Sequence, residues 1–211
     1  MNNLISGCEN EKLKMNDHPL SNSTEKCLEG KRVLVALTGG IACFKICTLV
    51  SRLVQRGADV RVMMTDAATK FVGPTTLQSL SGHAVLTSLW DAEENPDAEH
   101  IGLARWADLT VMAPASANSI AKFVHGIADN FVSTVMLAVP AEKPVLIAPA
   151  MNADMWNNPA TQRNMKLLGE LYPNVTLVGP EEGWQACRTK GFGRMSEPED
   201  ILEAACREIN S

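Results

Sequence analysis

Blocks of apolar residues alternate with more polar segments along most of the chain. Arg32–Leu37 and Asp59–Met64 are short, largely apolar runs, which are typical of strands buried on both faces of a sheet. Between them, Ile41–Arg56 carries apolar residues at helical spacing, and Gly57 follows where a glycine commonly ends a helix. The pattern predicts a strand–helix–strand unit whose two strands run parallel.

The same alternation continues towards the C-terminus. The further predicted strands are 107–113, which Pro114 is expected to end, 144–148 and 175–178. The further predicted helices are 116–124, with Ser116 as N-cap, 129–138, 159–171 and 197–209.

Strands that alternate with helices favour an α/β fold: a three-layer, doubly wound, Rossmann-like parallel sheet flanked by helices. In such sheets, ligands bind beyond the carboxyl ends of the strands. We therefore expect the functional site at the loops after Leu37, Met64, Ala113 and Ala148.

Residues 1–29 differ from the rest, because they are rich in Asn, Ser, Glu and Lys and show no apolar period. We predict a flexible N-terminal extension over 1–29 and one folded domain over 30–211. The net charge of −5 argues against a nucleic-acid partner, and no apolar run is long enough to predict a membrane span. No secretory signal is visible, so a cytoplasmic location is expected.

The six cysteines are scattered and include no CxxC pair. In a chain of this length without a visible signal sequence, they are expected to be reduced, and Cys27 is assigned no role. The cysteines and the four histidines do not cluster at ligand spacing, so no metal site is predicted.

Two loops at the predicted carboxyl edge could hold an anion. Gly39 and Gly40 follow the first strand, and glycines let the backbone approach a ligand at a helix N-terminus that favours phosphate. Ser116 and Asn118 open another predicted helix. Each loop alone is equally consistent with a tight turn or a helix cap, but together they favour a mononucleotide, since GxGxxG spacing is lacking.

Three side chains are candidates for chemistry. Asn152 follows a buried strand, and its amide can donate to a carboxylate without adding charge. His100 suits proton transfer near neutral pH, although a lone histidine is more often structural or exposed. Cys187 lies beside Arg188 and near Lys190, which favour a lowered thiol pKa.

Four segments together resemble the flavin-containing cysteine decarboxylases. They are TGGIA with FK after it, EHIGLARWAD, PASAN and PAMNADMW, and the last matches the PxMNxxMW signature of that family in full. The resemblance runs from about Arg32 to about Leu202. It implies a cytoplasmic, FMN-dependent enzyme whose crevice is shared between subunits of a homotrimer or a multiple of trimers.

The resemblance also implies roles for individual residues. His100 would be the base or proton handler, Asn152 the carboxylate-binding residue and Cys187 the proton donor that completes the reaction. The residues expected at the flavin or its phosphate are Gly39, Gly40, Thr65, Phe71, Ser116 and Asn118, with further contacts from Asp129, Asn130 and Met155.

The implied reaction is decarboxylation of 4'-phosphopantothenoylcysteine to 4'-phosphopantetheine in coenzyme A biosynthesis. A cysteinyl carboxylate has no electron sink, and transient oxidation at the carbon that bears sulfur would create one. Protonation and reduction then return a saturated thiol, so the whole sequence is redox-neutral. A separate synthetase is expected to supply the substrate.

One segment departs from the family pattern, which has Gly-Asp after the cysteine where this chain has Arg188-Thr189. Three alternatives remain open. An oxidative decarboxylase of C-terminal peptidyl cysteine would not need Cys187, and a flavin prenyltransferase would lack His100 and the PxMNxxMW signature. The third is an interaction protein that keeps the fold and regulates a partner.

Overall fold

The computed structural model describes residues 26–88, 96–184, 186 and 188–210. The strands are β1 (Arg32–Leu37), β2 (Asp59–Met64), β3 (Leu109–Ala115), β4 (Val145–Pro149), β5 (Val175–Leu177), β6 (Glu181–Trp184) and β7 (Lys190–Arg194). The helices are α1 (Cys43–Gln55), α2 (Pro74–Ser81), α3 (Pro96–Trp106), α4 (Ala117–Val124), α5 (Phe131–Leu137), α6 (Ala153–Asn157), α7 (Pro159–Leu171) and α8 (Pro198–Ile209).

Five strands form one parallel sheet in the order β2-β1-β3-β4-β5. The chain leaves β1 for β2 on one side and then crosses to build β3, β4 and β5 on the other side. The order therefore reverses between β1 and β3, and such a switch point opens a crevice at the carboxyl ends of the strands.

Helices cover both faces of this sheet, which confirms the predicted three-layer α/β fold. In β1, Val33, Val35 and Leu37 contribute to one buried core, while Leu34 and Ala36 contribute to the other, as the pleat of a strand requires. Helices α1, α2 and α8 supply the first core, and α3, α4, α5 and α7 supply the second. Burial on both faces explains why the strands read as continuous apolar runs.

Strand β3 is longer than predicted. It continues through Pro114 to Ala115, and the Ala113–Pro114 peptide bond is cis. The ladder with β4 shifts register between Met112 and Ala115, so the missing N–H of Pro114 interrupts no regular pairing. The expectation that Pro114 ends the strand was wrong for this reason.

The described residues just before β1 pack against the rest of the chain. Leu28 is fully buried, and its N–H donates to the carbonyl of Arg56 at 3.2 Å. Cys27 forms a disulfide with Cys206 of α8, and the Nδ2 of Asn210 donates to the Cys27 carbonyl at 3.2 Å. The expectation of a reduced Cys27 without a role was therefore wrong, because this turn packs against α8 and the end of α1. Residues 1–25 of the predicted extension lie outside the described residues.

The remaining described cysteines behave as small core residues. Cys43 is fully buried, and that burial raises the pKa of its thiol to about 11. Across residues 26–88, 96–184, 186 and 188–210, no group of three His, Cys, Asp or Glu side chains could hold a metal ion. Over the same residues, no helix has the length and apolar character needed to span a bilayer.

Candidate active site

A cavity of about 1280 Å³ lies where β1, β2, β3 and β4 end. Small-molecule sites usually measure about 300–1000 Å³, so this one has room for a cofactor and a substrate together. All four loops that the sequence indicated contribute to its wall. The predicted site residues that line it are Gly39, Gly40, Thr65, Ser116, Asn118, Asp129, Asn130, Asn152 and Met155.

Thr38 joins the first and third loops at the switch point of the sheet. Its side chain is fully buried, and its Oγ1 donates to the carbonyl of Pro114 at 2.6 Å and accepts from the N–H of Ser116 at 2.8 Å. One hydroxyl thus holds the ends of β1 and β3 together. No local pattern in the sequence marks Thr38, because both of its partners lie 76 or more positions away in the chain.

The glycine loop has one packed and one open residue. A Cβ on Gly39 would come within 2.6 Å of the Ala67 Cβ, so this loop packs directly against the loop after β2. A Cβ on Gly40 would meet nothing within 4 Å. The N–H groups of Gly40 and Ile41 have no hydrogen-bond partner in the described parts of the chain, and both residues line the cavity. Free amides beside a helix start suit an anionic group such as a phosphate.

The third loop combines a helix cap with an open amide. The Oγ of Ser116 accepts from the N–H of Ser119 at 3.3 Å, which confirms Ser116 as the N-cap of α4. Asn118 has no side-chain partner within the described residues and lines the same cavity. Both side chains can therefore meet a phosphate or the polar edge of a ring.

Asn152 is the N-cap of α6. Its Oδ1 accepts from the N–H of Met155 at 2.8 Å, which leaves the donor Nδ2 as the other end of the amide. The cap therefore fixes how the amide is presented to the cavity. Met155 is 46% exposed, so packing in the core does not account for it.

Asp129 and Asn130 form the rim of the cavity at the start of α5. Lys122 donates to Asp129 at 2.7 Å, and this hydrogen bond lowers the pKa of the carboxyl group. Asn130 and Ser133 form a reciprocal capping box at the start of α5. These contacts hold both rim residues in place without any bound ligand.

Two cations that line the cavity, Lys45 and Arg194, belong to a network of ion pairs that the sequence did not predict. The Nζ of Lys45 donates to Glu197 at 2.9 Å, and this bond is the main cause of the lowered Glu197 pKa. Arg194 bonds to Glu197 and to Glu181, both at 2.8 Å. Lys45 and Glu197 lie 152 positions apart, so only the fold brings them together. Asp66, which follows β2, is a further cavity residue that the sequence did not indicate.

Three predicted site residues are not among the described lining of the cavity. His100 lies on α3, and its Nδ1 is buried without a hydrogen-bond partner among the described residues. Phe71 is exposed but lies outside the cavity wall. Cys187 lies outside the described residues, although its neighbours Ala186 and Arg188 line the cavity.

The other two described histidines have structural contacts. The Nε2 of His83 lies 2.8 Å from the Oδ1 of Asp59, and the Nε2 of His125 lies 3.2 Å from the Oδ1 of Asn164. Neither histidine lines the cavity.

Known proteins share this arrangement over most of the chain. The chain is 46% identical over 179 residues to the coenzyme A biosynthesis bifunctional protein CoaBC of Bacillus subtilis (strain 168), covering 84% of this chain and 43% of that protein. It is 45% identical over 178 residues to the CoaBC protein of Escherichia coli (strain K12), with the same coverage. The chain thus spans less than half the length of these curated relatives.

Solved structures resemble it over nearly their whole length. A cysteine-to-serine mutant of PPC decarboxylase complexed with pantothenoylaminoethenethiol has a TM-score of 0.75 and 34% identity, covering 86% of this chain and 99% of that one. The FMN binding protein AtHal3 has a TM-score of 0.70 and 35% identity, covering 83% and 94%. The FMN-dependent cysteine decarboxylase SpaF has a TM-score of 0.73 and 30% identity, covering 86% and 98%.

The Flavoprotein family matches residues 21–210, which include every described strand and helix. Together with these relatives, that match shows that the chain belongs to the Flavoprotein family.

Proposed function

We propose that this protein catalyses the FMN-dependent decarboxylation of 4'-phosphopantothenoylcysteine to 4'-phosphopantetheine, a step of coenzyme A biosynthesis. The observation that carries the proposal is Asn152, a neutral amide held by a helix cap at a cavity large enough for two ligands. The CoaBC relatives and the PPC decarboxylase structure support the choice of substrate. We propose the cytoplasm as its location.

The cavity fits FMN by its donors. The free amides of Gly40 and Ile41 suit the phosphate, while Ser116 and Asn118 offer polar groups to the phosphate or the ring. When bound, FMN supplies the reversible two-electron oxidation that a cysteinyl carboxylate needs before it can lose CO2. Four more residues that line this space belong to the proposed binding set: Thr65, Asp129, Asn130 and Met155. The exposed ring of Phe71 is proposed to join them.

Asn152 is proposed to hold the carboxylate that leaves. An amide N–H orients a carboxylate through a hydrogen bond, whereas a cation would stabilise the negative charge that must disappear as CO2 departs. Because the cap holds the Oδ1, the Nδ2 is the end of Asn152 that remains to donate to a ligand.

His100 and Cys187 are proposed to manage protons. His100 lines no part of the cavity of its own chain, so we propose that it serves the crevice of a neighbouring subunit in a trimer or a multiple of trimers. Cys187 is proposed to donate the proton that the decarboxylated intermediate needs to become a saturated thiol. Its two neighbours in the chain, Ala186 and Arg188, line the cavity.

The deciding experiment is mass spectrometry of 4'-phosphopantothenoylcysteine after incubation with the FMN-loaded protein. Loss of CO2 with no net change in hydrogen is the expected result. Loss of CO2 together with two hydrogens would instead identify an oxidative decarboxylase without the proposed Cys187 step. A product formed only from a peptide with a C-terminal cysteine would favour the second candidate, a peptidyl-cysteine decarboxylase; the likeness to the FMN-dependent cysteine decarboxylase SpaF agrees with cysteine decarboxylation in either case.

A further inference from the structure

Arg188 occupies a backbone position that favours glycine. It lies between β6 and β7 with a φ of 65°, and it is the one non-glycine residue with a positive φ in the described parts of the chain. Side chains with a Cβ are disfavoured in this left-handed region. The chain therefore carries a long cationic side chain at this position against the local backbone preference.

Arg188 also differs from the other cations that line the cavity. Lys45 pairs with Glu197 at 2.9 Å, Lys122 pairs with Asp129 at 2.7 Å, and Arg194 pairs with Glu181 and Glu197 at 2.8 Å. Arg188 is exposed at the cavity and has no carboxylate or hydrogen-bond partner among the described residues. It is therefore the cation of the described cavity wall whose charge the protein leaves uncompensated.

The proposed substrate carries two anionic groups, and only one of them suits a guanidinium. Pairing Arg188 with the reacting carboxylate would oppose the loss of CO2, because that charge disappears in the reaction. The terminal phosphate keeps its charge throughout, and a guanidinium can bind two phosphate oxygens at once. The proposed site of the FMN phosphate is formed instead by the free amides of Gly40 and Ile41 in the loop after β1.

We infer that Arg188 forms a phosphate subsite that binds the 4'-phosphate of the substrate and makes the enzyme specific for the phosphorylated compound. The inference rests on the proposed function and adds to it the residue that reads the far end of the substrate.

Calorimetric titration of the FMN-loaded protein with 4'-phosphopantetheine and with pantetheine tests the subsite without turnover. The two probes differ only by the phosphate. The wild-type protein is expected to bind the phosphorylated probe about 10- to 100-fold more tightly, as a charge-assisted contact allows. Arg188→Gly, which suits the positive φ, is expected to abolish that preference while leaving flavin content and pantetheine affinity unchanged.

Two further variants sharpen the test. Arg188→Lys keeps the charge but loses the planar fork, so it is expected to retain an intermediate preference. Lys190→Gln removes a nearby cation at the start of β7 that pairs with Glu182 and does not line the cavity, so it should leave the phosphate preference unchanged.

An unchanged phosphate preference in Arg188→Gly would overturn the inference, as would loss of FMN from that variant, which would place Arg188 at the flavin. Equal wild-type affinity for both probes would overturn the phosphate subsite alone. Failure of the FMN-loaded wild type to bind either probe would instead contradict the proposed function.

Discussion

At the scale of single residues, the two ends of the Asn152 amide have separate tasks. Its Oδ1 caps α6 through the N–H of Met155, and its Nδ2 remains a donor at the cavity. A substitution that keeps the helix cap but replaces the Nδ2 donor with an acceptor therefore tests the proposed chemistry without removing the structural role.

Asn152→Asp is that substitution, because Asp caps helices about as well as Asn. Two carboxylates about 4 Å apart repel by roughly 4 kcal/mol at an effective dielectric of 20, which corresponds to about a 1000-fold loss of turnover. Steady-state decarboxylation and flavin absorbance would be measured together, and FMN is expected to stay bound. Asn158→Asp, at the exposed N-cap of α7, is the matched control and should be near wild type. Normal turnover in Asn152→Asp would refute the assignment.

Two buried threonines offer a second comparison. The hydroxyl of Thr38 is satisfied twice, by Pro114 and Ser116, whereas the buried Oγ1 of Thr110 has no hydrogen-bond partner in the described chain. Thr38→Val is expected to lower the free energy of unfolding by about 1–3 kcal/mol, because it leaves the N–H of Ser116 without its partner, although the Pro114 carbonyl keeps its bond to the N–H of Thr38. Weaker FMN binding should follow, since the hydroxyl no longer connects the loops after β1 and β3.

Thr110→Val removes a hydroxyl that makes no bond and keeps the volume of the side chain, so it is expected to be neutral or stabilising. Urea denaturation of both variants, with flavin fluorescence to follow FMN release, measures the difference. Equal losses of stability in the two variants would show that the Thr38 bridge contributes nothing.

At the scale of elements, the two edges of the sheet differ in what their polar residues do. At the amino edge, Asp108 accepts from the N–H, Nε and Nη2 of Arg32 and lies 3.7 Å from the Nζ of Lys143. These residues flank the starts of β1, β3 and β4, so this cluster ties strands together far from the cavity. The carboxyl edge instead carries the open amides and the cavity.

We expect the Arg32–Asp108 contact to make the stability of the fold depend on pH. The hydrogen bond from Arg32 lowers the Asp108 pKa from 3.8 to about 2, so the unfolded chain binds this proton more readily than the folded one. The contribution to stability is therefore complete above pH 3.8 and is lost as the pH falls towards 2. Asp108→Asn is expected to cost about 1–2 kcal/mol at pH 7, after allowance for solvent screening.

Denaturation of wild type and Asp108→Asn at several pH values checks this, and the difference between them should shrink below pH 3.8. Glu170→Gln, which breaks an exposed pair with Lys166, provides the control and should have little effect at any pH. A difference that stays constant with pH would mean that the ion pair does not stabilise the fold.

Helices and strands whose apolar residues recur at regular spacing were predictable from the sequence, and those without such spacing were not. Helix α7 has the predicted bounds, and α4 begins one residue after its predicted N-cap, because buried apolar spacing and capping residues mark both. Helix α2 has a single buried leucine, Leu77, among polar residues, and the β6–β7 hairpin is rich in glycine and charge. Neither has a local pattern, since both are held by packing against distant segments.

The site divides in the same way. The glycine, PASAN and Asn152 loops were predictable because each follows an apolar strand directly. The Thr38 bridge, the Lys45–Glu197 pair and the Cys27–Cys206 disulfide join residues far apart in the chain, so no local signal marks them. The position of His100 was not predictable either, because its place on a helix before β3 does not show whether its side chain reaches the cavity.

At the scale of the whole molecule, the cavity of one chain lacks one of the three proposed catalytic residues. Asn152 lines it and Cys187 is flanked by residues that do, but His100 is absent from its described wall. The apolar residues Ile41 and Phe44 at the same cavity are 58% and 60% exposed, which a neighbouring subunit would cover. A shared crevice accounts for both observations.

Complementation between inactive chains tests this arrangement. His100→Asn and Asn152→Asp are each expected to be inactive alone, in assemblies whose mass is a multiple of three chains of 22.8 kDa. In a randomly mixed ring with head-to-tail contacts, about one quarter of the crevices would combine an intact Asn152 from one chain with an intact His100 from the next. Co-expression followed by light-scattering mass measurement and a decarboxylation assay should therefore recover about a quarter of wild-type activity. Mixed assemblies without activity would mean that His100 acts within its own chain or not at all.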